Sequence, residues 1–263
     1  MALTSPHTAY EADGFYICDE PLLPADMVAS AVRGMDEIRT GRYDRGQPPL
    51  ESQWSPGDDP DRLCKIEQPQ FANQAIFDLI RHPALGQLAA TVAGARWVQV
   101  WWIQLLYKPS TAPGAVAATT IGWHQDRNYW DSWKEGSTLF TAWVALSDVE
   151  GDCGPMRFLR GSHKWGYQEG LSEFQDDDLE KQKQAIMARG MSWDEVPALA
   201  PAGGVSFHDR LTFHGSGANH SGRPRRSLAI HLRTESSWPN LESENRHYAY
   251  VDDPEVCPVI YNA

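Results

Sequence analysis

The stretch Gly122-Trp-His-Gln-Asp126 sets a histidine and an aspartate two positions apart, at His124 and Asp126. In extended backbone, residues i and i+2 point to the same face, so this imidazole and carboxylate can converge on one point. A nitrogen and an oxygen donor aimed together make two thirds of a 2-His-1-carboxylate triad, the set that holds non-heme Fe(II) and leaves coordination positions open. Alone, His-x-Asp is more often a surface turn or a core hydrogen bond, so a third ligand must come from elsewhere. Of nine histidines, His208 and His214 stand out downstream. His214 lies in Phe213-His-Gly-Ser-Gly-Ala-Asn219, whose glycines let backbone and ligand approach closely. His208 closes the apolar run Val205-Ser-Phe-His and reads as a core or strand-end histidine.

Arg223-Pro-Arg-Arg-Ser-Leu-Ala-Ile-His-Leu232 follows. As a strand it puts Arg225, Ser227 and Ala229 on one face, and Arg226, Leu228 and Ile230 on the other. An arginine flanked by small residues on a pocket face suits a bidentate grip on a carboxylate; the plain alternative is a surface ion pair.

The elements that must position these residues are β-rich. Trp97–Tyr107 is apolar on both faces, as a strand inside a layered structure would be. Leu139–Leu146, Met156–Leu159, Val205–His208 and Arg225–Leu232 are further strand candidates between Gly, Pro and Asp turns. Ahead of them, residues 10–20 read as a short strand entered through a turn at Gly14. Pro24 suits a first helical position, and Val28, Ala31, Val32, Met35 and Ile38 form a helical stripe ending at Gly41. Helical patterns also cover about 72–82 and 84–93, broken by Pro83. Residues 41–60 have no period and read as a long loop. The segment 167–200 contains a helical pattern with an acidic start and a stop at Gly190, and is either a solvated surface insertion or a lid.

With 263 residues and 41% hydrophobic content, the chain can bury one substantial core. A net charge of −12 argues against a nucleic-acid groove, which needs a basic footprint. No apolar run is long enough to span a membrane. Residues 1–10 lack the apolar centre of a secretory signal, and the four cysteines lack Cys-x-x-Cys spacing, so a cytoplasmic protein with reduced thiols is expected.

Taken together, the spacing of His124, Asp126, His214 and Arg225 resembles the phytanoyl-CoA dioxygenase (PhyH-like) family. So do the turn Gly151-Asp-Cys-Gly-Pro-Met-Arg-Phe-Leu-Arg-Gly-Ser-His163 and the stretch His214-Gly-Ser-Gly-Ala-Asn219. The likeness covers roughly residues 60–235. It implies a mainly β fold, a double-stranded β-helix (jelly-roll, cupin-like) flanked by N-terminal helices. It also implies Fe(II)- and 2-oxoglutarate-dependent oxygenation with O2, releasing succinate and CO2. On that resemblance His124, Asp126 and His214 hold iron, and Arg225 pairs with the C5 carboxylate of 2-oxoglutarate, helped by Ser216. Lys65 and Gln104 fall where relatives contact the cosubstrate, and Trp143 walls its pocket. The carboxylate at 126, where related halogenases carry Gly or Ala, implies oxygen rather than halogen transfer. Arg160 departs from the family's proline before Gly-Ser-His, a change confined to a turn. The chain is then one oxygenase domain over 1–263: a helical flank over about 1–95, a core over about 96–235 with the 167–200 insertion, and a tail over 236–263.

Seven of the 11 tryptophans fall between 97 and 143. For Trp97, Trp101 and Trp102 the reading favours a core role; Trp123, Tyr129 and Trp130 beside the His-x-Asp pair are candidates for lining a substrate pocket. An aromatic wall suits a flat or greasy small-molecule substrate, and no basic cluster announces a coenzyme A phosphate site. A zinc hydrolase would use the same three ligands, but Arg225 would then lack a task and no general base is evident. A non-catalytic cupin-like binding protein is the remaining class. The substrate and the oligomeric state are not legible.

Overall fold

A computed structural model of the chain describes residues 5–18, 20–111 and 119–263. Ser5 caps a first helix, α1 (Pro6–Asp13), by accepting a hydrogen bond from the Thr8 amide, and Gly14 ends it in the left-handed region. Only then does β1 (Phe15–Cys18) begin, so the strand expected over 10–20 is real in its second half alone. The Ser-Pro pair, a good N-cap with proline at the first helical position, is the helix signal that the strand reading passed over. Then come α2 (Ala25–Arg39), β2 (Glu51–Ser52), β3 (Cys64–Glu67), α3 (Gln74–Ile80) and α4 (Pro83–Ala93). The β-rich half holds β4 (Trp97–Lys108), β5 (Ile121–His124), β6 (Leu139–Ala145) and β7 (Met156–Leu159). After helix α5 (Leu179–Ala188) follow β8 (Glu195–Pro197), β9 (Val205–Asp209), β10 (His214–Ser216), β11 (Arg225–Thr234) and β12 (Val259–Asn262).

The strands form two antiparallel sheets. The larger runs β1-β9-β6-β11-β4-β3-β2 with β12 also paired to β4, and the smaller runs β5-β10-β7-β8. This is the double-stranded β-helix expected from the sequence, with α1 to α4 on one side.

Strand alternation divides the larger sheet into two chemistries. Phe140, Ala142, Val144, Val205, Phe207, Leu228, Ile230 and Leu232 face the helices and pack with Ala31, Met35, Ile38, Ile76, Leu79, Leu85 and Ala89 in one buried core. The residues between them, Thr141, Trp143, His208, Ala229 and His231, face the smaller sheet across a cavity. The β4–β11 pairing slips between His231 and Leu232: Trp102 lies opposite His231, and Val100 opposite Leu232. That bulge leaves Trp101 as the extra residue, so two consecutive tryptophans both face the cavity, although a regular strand would send them to opposite faces.

The segment 236–263 folds back over the sheet. Gln99 donates from its side chain to the carbonyls of Val251 and Cys257, and β12 pairs with β4. Among the described residues, no helix is long and apolar enough to cross a membrane.

Candidate active site

A cavity of about 570 Å³ lies between the two sheets. His124 ends β5, Gln125 continues in extended backbone, and Asp126 opens a short 3-10 turn, so the i, i+2 geometry survives the end of the strand. His214 opens β10, which pairs with β5 so that His214 and His124 lie opposite each other. Their ring centroids are 4.1 Å apart. His124 Nε2 is 3.9 Å and His214 Nε2 3.6 Å from Asp126 Oδ1, and the donor atoms of the three residues lie within 4.8 Å of one another, a spacing one metal ion could bridge.

The hydrogen-bond partners say which atoms are available to an ion. His124 Nδ1 is 2.7 Å from the Gly122 carbonyl and His214 Nδ1 is 3.0 Å from the Thr212 carbonyl. A carbonyl only accepts, so both Nδ1 atoms carry the proton and both Nε2 lone pairs face the cluster. Burial pushes both histidines below their ordinary pKa and keeps them neutral, the state a metal requires. Asp126 is treated oppositely: burial would raise its pKa, but the hydrogen bond from His208 favours the charged form and holds the carboxyl below the usual range. Its Oδ2 accepts from Thr141 Oγ1 at 3.0 Å and from His208 Nε2 at 3.2 Å, which leaves Oδ1 for an ion. The donor set fits a facial-triad metal.

Deeper in the cavity, Arg225 opens β11 and lies opposite Lys108 at the end of β4. The Arg225 guanidinium donates from Nη1 to the Gly154 carbonyl and stacks 5.2 Å from the Trp143 ring centre, while its buried Nε has no partner among the described residues. Lys108 is fully buried and donates from Nζ to Ser216 Oγ and the Gly217 carbonyl, both at 2.7 Å. Burial lowers the Arg225 pKa to about 10, which leaves it charged at neutral pH; burial and the nearby Arg225 push Lys108 well below its ordinary value. A buried, charged Arg225 with no carboxylate partner among the described residues, beside Ser216 backed by the Lys108 amine, makes a site shaped for an anion.

Lys65, Gln104, Trp143, Ser216 and Arg225 all line the cavity, as do Tyr129 and Trp130. Lys65 pairs with Glu67 at 3.0 Å, and Glu67 also accepts from Trp102 Nε1 at 2.6 Å and Gln104 Nε2 at 3.2 Å. Trp123 does not reach the cavity. Because His124 points inward, strand alternation turns its neighbour outward, where Trp123 packs 4.9 Å from Trp193 beside Ile186 and Phe213. Trp101 and Trp102, expected in the core, are cavity wall because of the bulge.

His208 proves to be more than a strand-end histidine, since its partner is the Asp126 carboxylate. Lys108, Thr141 and His231 were not singled out from the sequence. Lys108 carried one legible signal, a lysine closing the apolar run of β4. Thr141 and His231 had none until the register of β6 and β11 set them opposite each other. The insertion also reaches the site: Ser172, Glu173, Phe174 and Gln175 line the cavity, and the Phe174 ring lies 5.1 Å from that of His124. Gln182 of α5 accepts from the Trp123 amide and donates to the Trp123 and Glu173 carbonyls, pinning the segment to β5. The 41–60 stretch, expected as one loop, is interrupted by β2, and Gln53 just after that strand also lines the cavity.

Comparison with known proteins agrees with this geometry. A protein of Stutzerimonas stutzeri named as a probable alpha-ketoglutarate-dependent hypophosphite dioxygenase is 27% identical over 191 residues, 70% of this chain and 61% of that protein's length. Among solved structures, the non-heme alpha-ketoglutarate-dependent epimerase SnoN from nogalamycin biosynthesis superposes with a TM-score of 0.65 at 22% identity, covering 93% of this chain and 86% of that one. The carbocyclase SnoK from the same biosynthesis gives 0.66 at 20% identity, covering 93% and 91%. The non-heme monooxygenase ThoJ, as its nickel complex, gives 0.66 at 19% identity, covering 98% and 84%. At these identities the solved structures establish the shared fold. The model of the phytanoyl-CoA dioxygenase (PhyH) family matches residues 10–227, most of the chain and every residue of the cluster, and the chain therefore belongs to that family of oxygenases.

Proposed function

We propose that the chain is an Fe(II)- and 2-oxoglutarate-dependent dioxygenase that hydroxylates an aliphatic carbon of a small hydrophobic or aromatic metabolite. The observation that carries this reading is one cavity holding both an N,N,O donor set with its lone pairs aimed inward and, beyond it, an uncompensated Arg225. The relative from Stutzerimonas stutzeri, named as alpha-ketoglutarate-dependent, supports the choice of cosubstrate.

In this reading His124, Asp126 and His214 hold the iron, and Arg225 with Ser216 binds the C5 carboxylate of 2-oxoglutarate. Bound Fe(II), 2-oxoglutarate and O2 supply the oxidant for C–H cleavage, with succinate and CO2 as coproducts. Trp143 closes one side of the cosubstrate site through its contact with Arg225. Thr141 and His208 hold the Asp126 carboxylate so that Oδ1, not Oδ2, is the ligand. Phe174, Tyr129, Trp101, Trp102 and Trp130 exclude water from the chamber beside the iron and provide flat apolar surface for a substrate. An epimerase and a carbocyclase share this fold, so the same cofactors with a different fate of the substrate radical form the second reading.

The test is anaerobic addition of Fe(II) and 2-oxoglutarate, followed by visible absorbance and then by succinate release on admitting O2. A charge-transfer band and succinate are expected; absence of binding by both Fe(II) and 2-oxoglutarate overturns the reading.

A further inference from the structure

Farther along β11, on the sheet face that carries Arg225, lies a polar atom whose state the hydrogen bonds determine. Thr141 Oγ1 lies 3.0 Å from Asp126 Oδ2 and 2.9 Å from His231 Nδ1. A carboxylate accepts only, so the single Thr141 proton goes to Asp126. The contact to His231 therefore requires His231 Nδ1 to donate. Its other nitrogen, Nε2, then carries a bare lone pair. His231 lines the cavity, and among the described residues no protein donor reaches Nε2.

The surroundings say what that lone pair could meet. The His231 ring lies 4.8 Å from Trp130 and 5.5 Å from Trp101, centre to centre, with Trp102 opposite it in the sheet. The neighbouring acceptor, Glu67, is already engaged by Trp102, Gln104 and Lys65. An acceptor set among indole faces discriminates, because a ligand lacking a donor leaves its lone pair unsatisfied.

We propose that His231 selects the substrate, its Nε2 accepting a hydrogen bond from a hydroxyl or N–H group on a ring lodged among Trp101, Trp102 and Trp130. This rests on the cavity being the substrate chamber of the oxygenase described above. The substrate class is then a phenol, ring alcohol or ring N–H compound, and the donor group, held by His231, orients the ring toward the iron.

The test uses 4-fluorophenol and 4-fluoroanisole, in which a methyl group replaces the hydroxyl proton, in a fluorine NMR titration of the metal-free protein, with the His231 variants separating the lost donor from the added bulk. The native chain is expected to bind the phenol about fivefold more tightly than the ether, the worth of one hydrogen bond. His231→Leu is expected to abolish the preference, and His231→Gln, which keeps a side-chain acceptor, to retain part of it. Both variants are checked for an unchanged far-ultraviolet spectrum and for 2-oxoglutarate binding in the presence of Fe(II). Equal affinities in the native chain, a preference that survives in His231→Leu, or no binding of either probe overturns the proposal. Loss of 2-oxoglutarate binding in the native chain would instead overturn the oxygenase reading and leave the phenol-to-ether ratio as an independent result.

Discussion

Lys108 and Arg225 lie directly opposite each other across the β4–β11 pair, two basic side chains 0% and 3% exposed, with Ser216 hydrogen bonded to the first. Burial and the neighbouring Arg225 both make it costly to charge Lys108 without a counterion. The arrangement stores a demand for an anion. Lys108→Met should therefore leave the ligand-free protein as stable as the parent or more so, while weakening 2-oxoglutarate binding roughly tenfold or more. Thermal melting with and without 2-oxoglutarate separates the two effects; a loss of stability with unchanged affinity would count against the arrangement.

Arg225→Lys keeps the charge but loses the planar fork that suits a carboxylate. The expected result is a rise in the KM for 2-oxoglutarate of about tenfold or more, with Fe(II) binding at His124, Asp126 and His214 unaffected. Calorimetric titration of metal and cosubstrate in turn checks both halves.

His208→Ala removes one of the two donors on Asp126 Oδ2. A carboxylate freed to rotate loses the orientation that reserves Oδ1, and metal affinity should fall about 10- to 100-fold. Competition for Fe(II) against a chelator of known strength measures this directly, and parental affinity would show that Thr141 suffices.

Acid should destabilise the protein before the carboxylates titrate. Burial lowers the pKa of His124, His214 and His231, the last from 6.5 to about 3. In the unfolded chain these groups take up protons near pH 6.5, while the folded chain refuses them, so stability is full above that pH and falls as pH drops below it. Asp126, whose carboxyl is depressed, adds a loss in the same direction below its unfolded value of about 4. The melting temperature should fall from pH 7 to pH 5, and His231→Gln should make that slope shallower. An equal slope in the variant would mean that His231 is charged in the folded state.

A methyl group at Gly122 would lie 1.9 Å from the Glu173 carbonyl oxygen, because the 172–174 stretch lies directly along β5. Gly122→Ala should cost about 1–3 kcal/mol, by analogy with overpacked cores, and expose the 170–190 segment to protease. Parental melting and digestion patterns would show that the segment yields without loss.

The local pattern of the chain was enough to single out the candidate donors that the fold brings together. His-x-Asp in extended backbone, a histidine among glycines, and an arginine on the small-residue face of a strand are properties of residues near one another in sequence. Their directions follow from the period-2 alternation of strands. The same alternation could have excluded Trp123 once His124 was taken to point inward. What sequence could not supply were relationships between strands far apart in the chain. Lys108 opposite Arg225, Thr141 beside His231, and His208 on Asp126 depend on pairing register, which many distributed core contacts set together. The bulge that turns both Trp101 and Trp102 inward belongs to the β4–β11 pair rather than to either strand. The candidate ligand set is thus local and legible, whereas the residues that orient it and the shape of the cavity beside it were decided by the tertiary fold.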